Sequence, residues 1–182
     1  MKRFEQLVLE DMEKNNYSSG VYISVDVHHD NDTLQFIQDS VRDLFDVPMD
    51  LNGLHTTIIY SKKPAPSLNI SLLKINSNKF FDAYVKELTV WTDNNNNKFF
   101  GILLDSPELQ KEYDRLMKFG FVSDYDSYMP HITLQYGTKI DITDHETKEK
   151  LDSLNSELQN NPSRVLQLTN ESIEPLNNDW SQ

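Results

Sequence analysis

The chain has 182 residues, a formal net charge of -12 and no cysteine. Its length suits one domain with a hydrophobic core, and we predict a single domain over residues 1–182. The acidic balance argues against binding to long nucleic acids, which need clustered Lys and Arg, and the lack of cysteine excludes disulfides and cysteine metal sites. No apolar run has the length of a membrane span or of a signal-peptide core, so we expect a cytoplasmic protein with no membrane partner. We also expect a monomer.

The chain begins with a predicted helix, strand and second helix. Apolar residues at helical spacing predict an amphipathic helix over residues 2–14. Alternating polarity predicts a strand over Val21–Val27. Capping side chains at 30–33 then precede a helix whose apolar stripe runs from Leu34 to Phe45.

Two predicted strands complete the first half. One begins at His55 after a turn and ends before the prolines at 64 and 66. Residues 67–80 show no clear pattern. Residues 81–92 predict the second strand, and the Asp-Asn run at 93–97 predicts the tip of a hairpin.

The second half repeats the order of strand, helix and strand. Phe99–Leu104 predicts a strand, and Ser106 with Pro107 predicts the start of a helix that Gly120 ends. A second strand that contains a His-x-Thr motif follows at His131.

The C-terminal part predicts one more helix and one more strand. Thr143 and Glu146 form a predicted capping box for a helix that carries Leu residues on one face. Residues 164–168 predict a last strand, followed by a polar tail. The repeated order predicts an α+β fold with two similar lobes, over residues 20–92 and 98–174, that face each other across a cleft.

Matched residues in two strands mark the candidate active site. His55 and His131 are 76 residues apart, and the same offset matches Thr57 with Thr133. The Tyr and Lys residues that follow, Tyr60 with Tyr136 and Lys63 with Lys139, match at this offset too. Side chains two residues apart on a strand share a face, so each strand presents an imidazole beside a hydroxyl.

This set of side chains suits phosphate chemistry. Histidine titrates near neutral pH, so one ring can accept a proton while the other donates one. The threonine hydroxyls, Thr57 and Thr133, can donate hydrogen bonds to phosphate oxygens as negative charge builds there. A metal site is disfavoured, because neither motif contains a second His or a carboxylate at ligand spacing.

The doubled motif resembles the 2H phosphoesterase superfamily, over most of residues 20–172. Within it, the motifs His-Thr-Thr-Ile-Ile-Tyr-Ser and Pro-His-Ile-Thr-Leu-Gln-Tyr are most similar to those of the phage anti-CBASS proteins. The resemblance implies antiparallel sheets that line a central cleft, with helices on the outside. It also implies cleavage, without metal or cofactor, of the cyclic di- and trinucleotides that bacteria use to signal infection. His55, Thr57, His131 and Thr133 would then be catalytic, in the cytoplasm of the host bacterium.

A further set of residues is predicted to contact the substrate. Tyr22 and Trp91 are on predicted strands that could flank the cleft, where they would stack on nucleobases or simply pack in the core. Glu171 and Glu174, near the last predicted strand, are candidates for orienting a base. Tyr60 and Tyr136 follow the threonines by three residues, so we expect them on the opposite face, in the core.

Three histidines receive no role. His28 and His29 are adjacent, so they point to opposite faces of a strand, and His145 lies beside a predicted helix start. Two other functions stay open: a phosphodiesterase on 2′,3′-cyclic phosphate or 2′-5′ linkages at RNA ends, and a non-catalytic protein that sequesters a cyclic nucleotide. The pattern leaves open which of the two motif histidines is the base.

Overall fold

A computed structural model of the protein describes residues 19–28, 32–63, 75, 78–93, 95–125, 127–161 and 164–176. The helix predicted over residues 2–14 lies outside the described residues, as does most of segment 67–80. No helix in the described part of the chain is long and apolar enough to cross a membrane.

In the described ranges, six antiparallel strands close into a barrel, and three helices cover it. The strands are β1 (Val21–Val27), β2 (His55–Ser61), β3 (Phe81–Thr92), β4 (Lys98–Asp105), β5 (His131–Tyr136) and β6 (Val165–Pro175). The helices are α1 (Asp32–Phe45), α2 (Pro107–Lys118) and α3 (His145–Gln159). The strand order around the barrel is β1-β2-β5-β4-β3-β6, and the fold is α+β, as predicted.

Most predicted elements are confirmed, and two boundaries are wrong. The cap of α3 is Asp144, whose side chain accepts from the backbone N–H of Thr147, whereas the predicted cap Thr143 donates its hydroxyl to Asp141. Strand β6 continues to Pro175 instead of ending near residue 168. Its second part is more polar and still pairs with β1, from Asp26 with Thr169 to Val21 with Pro175.

The hydrophobic core lies between the helices and the outer face of the strands. Leu34, Ile37 and Val41 of α1 and Leu151, Leu154 and Leu158 of α3 belong to one buried cluster with strand residues such as Ile23 and Ile132. A six-stranded barrel has no room for a helix inside it. The strand side chains that face away from the helices therefore point towards the inside of the barrel.

The two halves contribute to one closed sheet rather than to separate sheets. β3, from the first half, pairs with β4 and β6 of the second half, and β2 pairs with β5. We predicted two lobes with antiparallel sheets that line a central cleft. The long hairpin of β3 and β4 joins the halves instead, because β3 has a partner on both edges. The two lobes as a duplicated unit stay a prediction.

Asn155 of α3 completes the pairing of β3. The register between β3 and β6 ends at Tyr84, so among the described strands this edge of β3 has no partner further along. The buried amide of Asn155 accepts from the N–H of Leu88 at 2.7 Å and donates to its carbonyl at 3.0 Å. This side chain thus replaces a strand residue and fixes α3 on the barrel.

Candidate active site

The pairing of β2 with β5 brings the two motifs side by side. Thr56 is the register partner of Ile132, and both are fully buried on the core side. In an antiparallel pair the next residues alternate to the other face. His55 and Thr57 therefore share the inner face with His131 and Thr133. The same register sets each histidine opposite the threonine of the other motif, at roughly 5 Å between Cβ atoms for directly opposite residues.

Both histidines are held in the same way. Nδ1 of His55 lies 3.0 Å from the carbonyl of Gly53, and Nδ1 of His131 lies 3.0 Å from the carbonyl of Met129. A carbonyl oxygen only accepts, so Nδ1 carries a proton and donates in each ring. The neutral form of each ring then has its free lone pair on Nε2, the nitrogen that can exchange a proton with a substrate.

A β-bulge follows each motif and changes the face of the strand on which Tyr60 or Tyr136 lies. Against β1, the partners of Ile23 and Ser24 are Ile59 and Thr57, so Ile58 is an extra residue. Against β4, Leu134 is extra in the same way, and it occupies the matching position 76 residues later. An extra residue reverses the alternation of the side chains that follow it.

The expected core positions of Tyr60 and Tyr136 are therefore wrong. Tyr60 is the register partner of Tyr22, which contacts the motif on the inner face. Tyr136 is 72% exposed and packs edge-to-face on Phe99 at 5.2 Å between ring centroids. Alternation predicts the opposite face only for a strand without a bulge.

Tyr22 contacts the first motif. Its hydroxyl lies 3.0 Å from Oγ1 of Thr57, and its ring meets the ring of His55 edge-on at 6.0 Å. Burial raises the pKa of the Tyr22 phenol, the hydrogen bond with Thr57 opposes the rise, and neighbouring Tyr136 adds to it. Tyr22 is therefore protonated at neutral pH and available as a donor to Thr57.

Trp91 contacts the second motif. Its ring meets His131 edge-on at 5.3 Å and stacks on Phe99 at 6.5 Å. A Cβ on Gly101 would lie 2.5 Å from the Trp91 ring and would also collide with the Ile132 carbonyl. Glycine at 101 thus lets the indole lie across the strand next to His131.

A family model described as "Anti-CBASS protein Acb1" matches residues 19–182, which include both motifs. The chain belongs to this family. The match confirms the resemblance to phage anti-CBASS proteins, whereas membership of the wider 2H superfamily stays a prediction.

Individual members of the Acb1 family resemble the chain over most of its length. The Acb1 protein of Salmonella phage S16 is 30% identical over 69% of this chain and 77% of its own length. Acb1 of Enterobacteria phage T4 shows the same identity and coverage. The structure of Kluyveromyces marxianus Usb1 covers 88% of this chain and 99% of its own, with 10% identity and a TM-score of 0.47. That likeness is too distant to bear on function.

Glu171 lies in a buried ion cluster of this Acb1-family chain. Its fully buried carboxylate is 3.8 Å from the guanidinium of Arg115, which also bonds Glu112 on the same helix. The cluster ties α2 to β6, and burial there disfavours the predicted contact of Glu171 with substrate. Glu174, three residues later, is exposed and is the register partner of Tyr22.

Two of the three remaining histidines are described, and their side chains contact residues outside the motifs. The ring of His28 contacts Phe80 edge-on at 5.6 Å, and exposed His145 lies 3.5 Å from Glu149. His29 lies outside the described residues. Within the described ranges, no three His, Asp or Glu side chains are grouped so that they could hold a metal ion.

Proposed function

We propose that this Acb1-family chain is a phosphodiesterase that cleaves the 3′-5′ bonds of cyclic di- and trinucleotides and so blocks CBASS immunity. The observation that carries the proposal is the matched pair of histidines on adjacent strands. Each has a protonated Nδ1 anchored on a backbone carbonyl and a threonine two residues away on the same face. The name shared by the relatives supports the biological role.

The proposed reaction uses two proton transfers. One histidine takes the proton of the ribose 2′-hydroxyl through Nε2, and the oxygen attacks the adjacent phosphorus. The other histidine, protonated on both nitrogens, gives the proton of Nε2 to the departing 5′-oxygen. The products are a 2′,3′-cyclic phosphate and a free 5′-hydroxyl, and the two histidines have exchanged protonation states. Either histidine can be the base, since both are anchored alike.

The threonines stabilise the charge on the phosphorane. The hydroxyls of Thr57 and Thr133 donate to its non-bridging oxygens, which carry more negative charge in the transition state than in the substrate. In this proposal the Tyr22 hydroxyl, 3.0 Å from Oγ1 of Thr57, is the donor of that hydrogen bond. The proton of Thr57 is then free to be directed at the substrate.

Two aromatic side chains are proposed to bind the bases. Tyr22 and Trp91 each lie beside one of the two catalytic histidines, where a base attached to the reacting ribose would pass. Stacking on an aromatic face is how proteins bind exposed bases with little dependence on sequence. A small cyclic ligand also suits a chain with a net charge of -12, because it needs no extended basic surface.

A panel of substrates tests the proposal. We expect catalytic turnover of cyclic di- and trinucleotides at substoichiometric protein, with full activity after treatment with EDTA. Rings with 2′-deoxyribose beside each scissile bond should bind and remain uncut, because the nucleophile is missing.

Each alternative gives a different result in the same panel. Binding without turnover would identify a protein that only sequesters the ligand. Cleavage of linear 2′-5′ or 2′,3′-cyclic RNA ends in preference to the cyclic messengers would identify an RNA-end enzyme. Activity that EDTA abolishes and one divalent ion restores would contradict the metal-independent mechanism.

A further inference from the structure

Two pairs of aromatic rings lie at the rim of the candidate site, and neither is needed by the core. Tyr60 and Tyr125 form one pair, with ring centroids 6.1 Å apart. Phe99 and Tyr136 form the other, at 5.2 Å. Tyr125 is 62% exposed and Tyr136 is 72% exposed, so both rings leave much of their apolar surface in water. We call these the outer aromatic pairs.

The Tyr60–Tyr125 pair is built by a specific backbone connection. The N–H of Asp124 donates to the carbonyl of Tyr60 at 3.0 Å, and the N–H of Lys62 donates to the carboxylate of Asp124 at 3.0 Å. These bonds hold part of the segment between α2 and β5 against the end of β2. Tyr125, the next residue after Asp124, is thereby fixed at the rim of the site.

One tyrosine of each pair is related to the other by the internal repeat. Tyr60 and Tyr136 match at the 76-residue offset, and each follows its threonine after the same β-bulge. Because β2 and β5 are antiparallel, these tyrosines lie beyond opposite ends of the cluster formed by the two His-x-Thr motifs. One outer aromatic pair therefore lies on each side of the position where phosphate would bind.

Isolated exposed aromatic residues are common on protein surfaces and do not by themselves indicate a binding site. Tyr84, 47% exposed near the other end of β3 from Trp91, is an example. The outer aromatic pairs differ because each exposed ring rests on a second ring. In addition, each pair includes one tyrosine, Tyr60 or Tyr136, that follows a His-x-Thr motif after its bulge. Edge-to-face or tilted support from a second ring holds the exposed face in place.

We propose that the outer aromatic pairs are stacking surfaces for nucleobases of the ligand, one on each side of the scissile phosphate. Tyr22 and Trp91 contact the histidines, whereas Tyr60 and Tyr136 follow the motifs along their strands. The outer aromatic pairs would therefore bind bases that the inner residues do not hold. A ring of nucleotides places bases on both sides of any one phosphate, which matches the two-sided arrangement. The inference rests on the proposed function and extends it to substrate specificity.

The test measures binding of a 2′-deoxy cyclic dinucleotide and a 2′-deoxy cyclic trinucleotide by calorimetry. We expect Tyr125→Ala and Tyr136→Ala each to weaken binding of at least one of the two ligands roughly 5-fold to 150-fold, the range for loss of one stacked base. Tyr125→Phe and Tyr136→Phe should bind both ligands like the unsubstituted chain, since the ring face is kept. Tyr84→Ala is the matched control for loss of an exposed tyrosine and should change neither affinity. Melting temperatures of all variants verify that they fold.

The outcomes separate this inference from the function on which it rests. A folded, unsubstituted chain that binds neither ligand would remove the proposed function together with the stacking surfaces. If the unsubstituted chain binds and an alanine variant binds both ligands equally well, the assignment of that pair is wrong while the proposed function stands. If a phenylalanine variant loses as much affinity as the alanine variant, the tyrosine binds the ligand through its hydroxyl and not by stacking.

Discussion

The hydroxyl of Tyr22 offers a sharp test of how the site orients Thr57. Tyr22→Phe removes one hydrogen bond, 3.0 Å long, and keeps the ring beside His55. A bond between neutral groups contributes about 0.5 to 1.5 kcal/mol, which corresponds to roughly 2-fold to 12-fold in rate. We expect kcat to fall by this amount and KM to change little, because the substituted group orients a donor that acts in the transition state.

The internal repeat supports the expectation that Tyr22→Phe lowers kcat only modestly. Phe99 holds the place in the second half that Tyr22 holds in the first, since each is the register partner of the tyrosine after the bulge. A phenylalanine therefore already fits this position of the repeat without a hydroxyl. Tyr84→Phe serves as the control for loss of an exposed phenol elsewhere on the barrel.

The assay is turnover of a cyclic dinucleotide by Tyr22→Phe, Thr57→Ala and the double variant. If Tyr22 acts through Thr57, the double variant should be no slower than Thr57→Ala, which alone should cost about 10-fold to 10³-fold. The orienting role would be refuted if the double variant lost kcat by the product of the two single losses. An unchanged kcat in Tyr22→Phe would refute it too. A loss above about 10³-fold in Tyr22→Phe would instead place the phenol in proton transfer.

Three further predictions concern the catalytic residues and the fold. His55→Ala and His131→Ala should each lower turnover by at least about 10²-fold with an unchanged melting temperature, and near-normal turnover would remove that residue from the mechanism. Asn155→Leu should lower the free energy of unfolding in urea by about 2 to 4 kcal/mol, because two buried backbone groups of β3 lose their partner; a loss below about 0.5 kcal/mol would contradict this. Asp144→Ala should lower the melting temperature more than Thr143→Ala. Hydrogen bonds from α3 hold the pKa of Asp144 low, so its stabilisation is present above the unfolded pKa of about 3.9. It is lost as pH falls through the lower folded pKa, where the two variants should converge.

The sequence by itself determined the local elements and the four motif residues. Val21–Val27 and Phe81–Thr92 alternate in polarity, and α1 has a stripe of apolar residues, so each pattern is readable from near neighbours in the chain. The shared offset of His55 and His131 was equally visible. It required only that two short segments have the same order of side chains.

Only the tertiary structure decided what surrounds those residues. The bulges at Ile58 and Leu134 leave no mark in composition, since an extra apolar residue on a strand is recognised only against its partner strand. The faces of Tyr60 and Tyr136 therefore could not be derived from spacing. The burial of Glu171 could not be derived from the sequence either, because it depends on Arg115 of a helix more than fifty residues away. Strand pairing and ion pairing of this kind join residues distant in sequence, and the packing of the whole chain sets their register.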